Sequence, residues 1–271
     1  MTDTTQTPTQ TTLRQGSIER FLSDAAVLTK RNLLKYRRVP TLLVFSTVQP
    51  VMLVLIFVLV FGGAINLPGG VSYTNFIMAG IFAQVAIFGS TQTGVGLADD
   101  MGKGLIDRFR SLPMSRSAVL IGRTGSDAVR NVLVMILVTA VGFLLGFRFE
   151  GGVAAGVLAV LLGVLFGYAF SWISASIGLA VKDVETAQAA TFVWIFPLVF
   201  ASSAFAPIAT FPGWLQAIAR INPVTSVVNA MRALILGTPL QPWLWRSFVW
   251  IAILLIIFIP LAVREYRRAL A

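Results

Sequence analysis

The chain has 271 residues, of which 56% are hydrophobic and only 12% charged, and its mean hydropathy is +0.83. A sequence this apolar cannot bury its side chains in the core of one water-soluble domain, which excludes an ordinary soluble protein. We therefore expect part of its surface to contact lipid. It has no histidine and no cysteine, so the usual ligands of zinc, copper, haem and iron–sulfur clusters, the commonest general base and disulfide bonds are all missing.

The N-terminal part of the chain changes character twice. Residues 1–16 are polar and rich in threonine, which predicts a disordered cytosolic tail. Residues 17–40 place apolar side chains at helical spacing among basic ones, and a cluster of five basic residues directly precedes the first long apolar run. This pattern predicts an amphipathic connecting helix on the membrane surface, with an ordinary solvated helix as the alternative.

Six apolar runs are each long enough to cross a hydrocarbon layer, which takes about 20 helical residues. They cover about residues 41–62, 74–98, 117–147, 153–181, 186–205 and 243–263. The sequence therefore predicts an all-α integral membrane protein, with residues 41–271 forming a six-span transmembrane domain. An even number of crossings places both termini on the same side.

The basic residues indicate which side that is. Seventeen of the 21 lysine and arginine residues lie before the first run, between the second run and the early part of the third, between the fourth and fifth, or after the sixth. Because cytoplasmic loops are enriched in lysine and arginine, these segments and both termini are predicted to be cytoplasmic. This asymmetry accounts for most of the net charge of +10, so no nucleic-acid partner is expected.

A charged segment, residues 99–116, separates the second and third runs and contains Gly102, Lys103 and Gly104. A phosphate-binding P-loop would need glycine where Leu97 stands and serine or threonine where Gly104 stands. The segment therefore does not fit a nucleotide site, and we expect no catalytic, cofactor-binding or metal-binding residue in the chain.

The same segment predicts a short cytosolic helix over about 101–114, with an apolar ridge rimmed by charged side chains. Such a ridge favours docking in the groove of a partner protein, and a helix resting on lipid headgroups is the alternative. The residues assigned to this coupling surface are Leu105, Asp107, Arg108, Phe109, Arg110, Leu112 and Pro113.

Between the fifth and sixth runs, Asn222-Pro223 predicts the start of a half-buried helix and Gly237 its end. We expect short extracytoplasmic re-entrant helices here, before the last span. The residues assigned to this region, as an outward gate or a structural cap, are Phe211, Trp214, Asn222 and Arg232.

Polar residues inside the runs suggest a route for a transported molecule, because an unpaired polar group is costly in hydrocarbon. Gln49, Gln84 and Gln92 are the candidates for this route. The serine and threonine residues in the runs are better explained by packing, since they can bond to their own helix backbone. Arg123, Asp127 and Arg130 share a helical face, which predicts structural ion pairing, with a proton relay through Asp127 as the alternative.

Two stretches resemble a known family. The sequence GLIDRFRSLPMSRSAVLIGR, followed by Asp127, Arg130 and LLGFRF, is similar to the permease subunits of type 2 ATP-binding-cassette exporters, particularly the daunorubicin/doxorubicin-resistance type. The later SSAFAPIATFPGWLQAIARINPVTSVVNAMRALILG is similar to that family's Phe-Pro-x-Trp-Leu, Asn-Pro and Met-Arg signature.

The resemblance implies an exporter subunit of a bacterial plasma membrane with no nucleotide site of its own. It implies a separate ATPase subunit that binds ATP and Mg, and a second permease copy, identical or related, in a dimer surrounded by lipid. Residues 17–38 and about 101–114 would then transmit the closure of the ATPases to the spans.

Three alternatives to this interpretation stay open. An ion-coupled secondary transporter should carry intramembrane acids and often an internal repeat, and neither is evident. A polysaccharide or glycolipid exporter of the same fold is the second alternative, although the apolar spans suit a drug or lipid better. A membrane enzyme is the weakest.

Overall fold

The computed structural model describes Thr29 and residues 40–63, 70–104, 116–181 and 183–269. These parts of the chain are helical and contain no strand. The longer helices, numbered here in chain order, are α1 (Pro40–Leu55), α2 (Tyr73–Gly102), α3 (Arg116–Leu144), α4 (Val153–Val181), α5 (Val184–Phe200), α6 (Gly213–Ile221), α7 (Pro223–Leu236) and α8 (Trp243–Ala269).

Four of the helices, α2, α3, α4 and α8, are long and apolar enough to cross a membrane. The apolar segments Ser46–Phe61, Val184–Phe200 and Pro223–Leu236 are shorter. The first of these ends in a π-helical turn, Ile56–Phe61, that follows α1 directly and was not predicted. The described chain is thus an all-helical protein of membrane composition, and the number of six crossings stays a prediction.

Helix α2 is buried along almost its whole length and packs most extensively against α4. Small residues make the close approach possible: a Cβ at Gly178 on α4 would overlap the backbone carbonyl of Gly94 on α2. Nearby, the hydroxyls of Ser90 and Ser174 lie 3.5 Å apart across the same contact. Small side chains let membrane helices approach closely and gain dispersion contacts, which makes α2 and α4 the centre of the fold.

Most intramembrane serine and threonine hydroxyls bond within their own helix, as predicted. Thr91 Oγ1 donates to the Phe88 carbonyl at 2.7 Å, and Ser176 Oγ donates to the Trp172 carbonyl at 2.9 Å. Each of these bonds satisfies a hydroxyl that hydrocarbon could not solvate.

The helix predicted between Asn222 and Gly237 is confirmed as α7. The Asn222 side chain accepts a hydrogen bond of 2.8 Å from the Val224 backbone N–H, Pro223 occupies the first turn, and Gly237 closes the helix with φ +67°. An asparagine cap and a glycine in the left-handed region are the ordinary signals for the two ends of a helix.

Candidate functional site

A cavity of about 460 Å³ lies between α1, α2, α3 and α5, and we call it the α2 groove. Helix α2 lines it from Ile81 to Asp99 at spacings of three and four residues, so one face of the helix forms its floor. At 1.5 Å per residue, this face is about 27 Å long. The groove therefore extends over most of the thickness that a hydrocarbon core would have.

The three glutamines predicted from the sequence all line this groove, although they come from two helices. Gln49 on α1 and Gln92 on α2 are exposed, whereas Gln84 is 7% exposed. Gln188 on α5 adds a fourth glutamine, which was not among the predicted candidates. A polar side chain inside an apolar run could have pointed to Gln188. The sequence does not show which face of α5 contacts α2, however, because that depends on tertiary packing.

The carbonyl oxygen of Gln84 sets this residue apart. Its Oε1 atom is buried and accepts no hydrogen bond from the described residues. Leaving a buried amide acceptor unsatisfied costs about 1–3 kcal/mol. Because Gln84 lines the groove, a rotation of its side chain would let this oxygen accept a hydrogen bond from a molecule that enters.

Apolar and basic side chains complete the wall of the groove. The rings of Phe88 and Phe192 lie 5.7 Å apart between centroids and both face it. From α3 come Arg123, Arg130 and Asn131. The combination of amides, guanidinium groups and aromatic rings can accommodate a molecule with both hydrogen-bonding groups and an apolar surface.

The predicted pairing of Arg123 with Asp127 is confirmed. Arg123 Nε lies 3.6 Å from Asp127 Oδ2, and Thr93 Oγ1 donates to the same oxygen at 2.6 Å. Asp127 is only 1% exposed, while Arg123 lines the groove. The carboxylate thus holds α3 against α2, and Arg123 is the member of the pair that faces the groove.

Two glycines on α2 make room for the polar side chains of α3. A Cβ at Gly96 would overlap the Arg123 guanidinium group, and one at Gly89 would overlap the Asn131 amide. Arg130 donates to the Gly89 carbonyl. The contribution of α3 to the groove thus depends on the absence of side chains at positions 89 and 96.

The region predicted as an outward gate or cap is tied together by Asn222. Its Nδ2 atom donates to the carbonyls of Leu198 at 2.7 Å and Ala201 at 2.8 Å, near the end of α5. Because its Oδ1 caps α7 at the same time, one side chain holds the end of α5 to the start of α7.

Arg232 on α7 makes a second tie. It donates to the carbonyls of Phe76 and Ser203 and to Asn229 Oδ1, and its guanidinium carbon lies 3.7 Å from the centroid of the Phe76 ring. Of the other two predicted residues, Phe211 is half-buried and Trp214 is 69% exposed. Asn222 and Arg232 therefore act as links between helices, and a gating role stays a prediction.

The coupling surface predicted around 101–114 lies almost wholly outside the described residues, including Leu105, Asp107, Arg108, Phe109, Arg110, Leu112 and Pro113. Most of the predicted connecting helix also lies outside them. Before Pro40, the structure describes one residue of that helix, Thr29. Its Oγ1 donates to the Gly122 carbonyl of α3 at 3.3 Å. The connecting segment therefore touches the first turns of α3.

Comparison with known proteins shows where similar chains occur. A family model described as "ABC-2 type transporter" matches residues 24–236. The chain is 32% identical over 240 residues to the daunorubicin resistance ABC transporter permease protein DrrB1 of Streptomyces coeruleorubidus, covering 88% of this chain and 83% of that protein.

Two further relatives are more distant. The probable doxorubicin resistance ABC transporter permease protein DrrC of Mycobacterium tuberculosis is 27% identical over 263 residues, 97% of this chain and 95% of that protein. The putative transport permease ycf38 of Cyanophora paradoxa is 27% identical over 219 residues, 79% of this chain and 74% of that protein.

Proposed function

The chain belongs to the ABC-2 type transporter family as the permease subunit of an exporter, and we propose that it moves an amphipathic drug or lipid out of the cytoplasm along the α2 groove. The observation that carries this proposal is the groove itself, in which five side-chain amides and two phenyl rings from four helices surround a face of α2 about 27 Å long.

The lining of the groove supports an amphipathic substrate. An apolar molecule would leave the amides of Gln49, Gln84 and Gln92 facing hydrocarbon, while a fully polar one would strip water from the rings of Phe88 and Phe192. A molecule with both characters satisfies both parts of the wall. The names of two relatives, which refer to daunorubicin and doxorubicin resistance, support a drug as cargo.

The energy for transport comes, in this proposal, from a separate ATPase subunit that binds ATP and Mg. The sequence at Gly102-Lys103-Gly104 does not fit a P-loop. We propose that the ATPase docks at about residues 101–114. The bond from Thr29 to the Gly122 carbonyl supports a mechanical link from that helix to α3.

The proposed topology has six crossings with both termini in the cytoplasm. Helix α1 with its π-helical turn spans Pro40–Phe61, which at 1.5 Å per residue is about 33 Å, and α5 is about 25 Å long. A second permease copy, identical or related, and two ATPase subunits complete the proposed exporter in a bacterial plasma membrane.

Docking of the ATPase is tested by co-purification. The tagged permease chain is expressed with its ATPase subunit, and we expect the two to purify together. Replacing Phe109→Ala and Arg108→Glu should abolish the association, whereas Arg148→Glu, in the loop beyond the opposite end of α3, should preserve it. Unchanged association in the first variant contradicts the docking site.

The energy source is tested in cells that export daunorubicin when both subunits are present. Efflux should stop when ATP is depleted and continue when a protonophore collapses the proton gradient. The reverse result contradicts the proposal and favours an ion-coupled carrier.

A further inference from the structure

A second concavity, of about 620 Å³, opens between α6, α7 and α8, and we call it the arginine pocket. We propose that it binds the phosphate group of an anionic phospholipid. It lies beside the start of α7, where Ser226 follows Asn222, and it shares no lining residue with the α2 groove. Its lining residues are Ile208, Ala209, Gln216, Arg220, Ile221, Ser226, Trp243, Arg246 and Trp250.

The charge of the pocket selects an anion. Arg220 and Arg246 both line it, and its lining contains no carboxylate among the described residues. Arg220 Nη2 donates to the neutral Gln216 Oε1 at 3.3 Å, and the Arg246 guanidinium carbon lies 5.6 Å from the centroid of the Trp243 ring. A guanidinium group presents five donors in a planar fork, so both contacts leave donors that match the geometry of phosphate.

The surroundings of the pocket are those of a membrane interface. Trp243 and Trp250 line it, and Trp214, Ile218 and Ile221 are exposed on α6. Tryptophan is enriched at the level of the lipid headgroups, where its ring is apolar and its N–H meets water. An amphipathic helix such as α6, with an exposed apolar face and a terminal arginine, suits the same depth.

A lipid fits better than a free phosphate ion because the pocket continues into an apolar track. On α8, the positions that follow Arg246 at spacings of three and four residues are Val249, Ile253 and Ile256, and all three are exposed. They share a helical face with Arg246 and run away from the pocket along α8. A phosphate held at Arg246 would therefore place an acyl chain along this face.

The predicted preference is for a headgroup with net negative charge. Phosphatidylglycerol brings one phosphate and no cation, whereas the choline ammonium of phosphatidylcholine would be brought toward two arginines. Each basic residue near a membrane surface strengthens the binding of an anionic lipid. Removing the charges of both Arg220 and Arg246 should therefore weaken the binding of phosphatidylglycerol about 30-fold.

The test is native mass spectrometry of the full chain purified in detergent, titrated with phosphatidylglycerol, phosphatidylcholine or inorganic phosphate. We expect phosphatidylglycerol to bind at least tenfold more tightly than the other two. The variant Arg220→Gln with Arg246→Gln should bind it about 30-fold more weakly. The variant Arg264→Gln with Arg267→Gln, which removes the same charge from exposed sites at the other end of α8, should bind it like the unaltered chain.

Three results would overturn the proposal. Equal binding of the two phospholipids would remove the anion preference, and equal binding of inorganic phosphate would replace the lipid by a soluble ion. Equal weakening in the control variant would show that binding depends on the overall charge of the chain and not on this pocket. The comparison of the two lipids uses the unaltered chain, so it stays informative even if a variant misfolds. Because the experiment needs neither the ATPase nor transport, failure of the lipid proposal leaves the proposed export function intact.

Discussion

The guanidinium group of Arg123 on α3 fills the space that a side chain at Gly96 on α2 would occupy. From this position Arg123 Nη2 donates to the Gln92 carbonyl at 3.1 Å, while its Nε atom lies 3.6 Å from Asp127 Oδ2. One cation thereby joins a carbonyl of α2 to a carboxylate of its own helix. This arrangement fixes the packing of α3 on α2 at one end of the α2 groove.

A side chain at position 96 should therefore disturb this packing. We expect Gly96→Ala to push the Arg123 guanidinium away from its partners and to lower the free energy of unfolding by about 1–3 kcal/mol. The measurement is unfolding of the detergent-solubilised chain. Gly102→Ala is the control, because a Cβ there meets no atom within 4 Å. Equal stability of the two variants would contradict this role of Gly96.

Removing the charge of Asp127 separates the two interpretations of this residue. Asp127→Asn removes one of the two carboxylates paired with Arg123, while Asp100 Oδ2 stays 4.0 Å from Arg123 Nη1, and it should cost about 1–3 kcal/mol. Adding Arg123→Gln should cost less than the sum of the two single changes, since the charges are removed together. A proton relay predicts instead that Asp127→Asn abolishes transport at unchanged stability, with no recovery in the double variant.

Gln84→Leu tests the unsatisfied acceptor in the α2 groove. Because the change removes a buried oxygen that accepts no hydrogen bond from the described residues, it should not destabilise the chain. Binding of radiolabelled daunorubicin to the purified exporter should weaken about tenfold, the effect of losing about 1.4 kcal/mol. Gln241→Leu, the same change at an exposed position outside the groove, should leave binding unaltered. Equal affinity in both variants would exclude Gln84 as a substrate contact.

The start of α5 should respond to pH through Asp183. Hydrogen bonds from the Thr186 backbone N–H and the Thr186 hydroxyl hold the pKa of this carboxyl below its usual value of 3.8. The charged cap therefore stabilises α5 above pH 3.8, and the contribution is lost as the pH falls through the lower folded-state pKa.

Hydrogen exchange of the first turn of α5 is the measurement. Asp183→Ala should speed exchange at neutral pH, and its difference from the unaltered chain should shrink below pH 3.8. Asp183→Asn keeps an acceptor that does not titrate, so its protection should stay constant across this range. A difference between Asp183→Ala and the unaltered chain that did not change with pH would contradict the assignment.

Local sequence signals predicted some features of this structure well. Each apolar run coincides with a helix over most of its length, although the third and fifth predicted runs extend past the ends of α3 at Leu144 and α5 at Phe200. The caps of α7 at Asn222 and Gly237 follow directly from residue type, and the Arg123–Asp127 pair follows from a spacing of four residues. Each of these depends on neighbours within one or two turns of the same helix. A single sequence contains that information.

Contacts between distant residues could not be predicted in this way. Arg232 bonds to the Phe76 carbonyl, 156 positions earlier, and Asn222 uses its amide N–H to reach two carbonyls near the end of α5. The wall that α3 adds to the groove requires glycines at 89 and 96 to face Asn131 and Arg123. These facts depend on how helices rotate against one another, which many side chains decide together.

The α2 groove as the export route is tested most directly by single-cysteine protection, which the absence of native cysteine makes possible. Gln49→Cys and Gln92→Cys are introduced separately into the active exporter, and Val193→Cys, exposed on α5 outside the groove, is the control. We predict that daunorubicin slows the reaction of a thiol reagent with the two groove positions and leaves the control unchanged. Undiminished labelling of both groove positions, in an exporter that still transports the drug, would contradict the account.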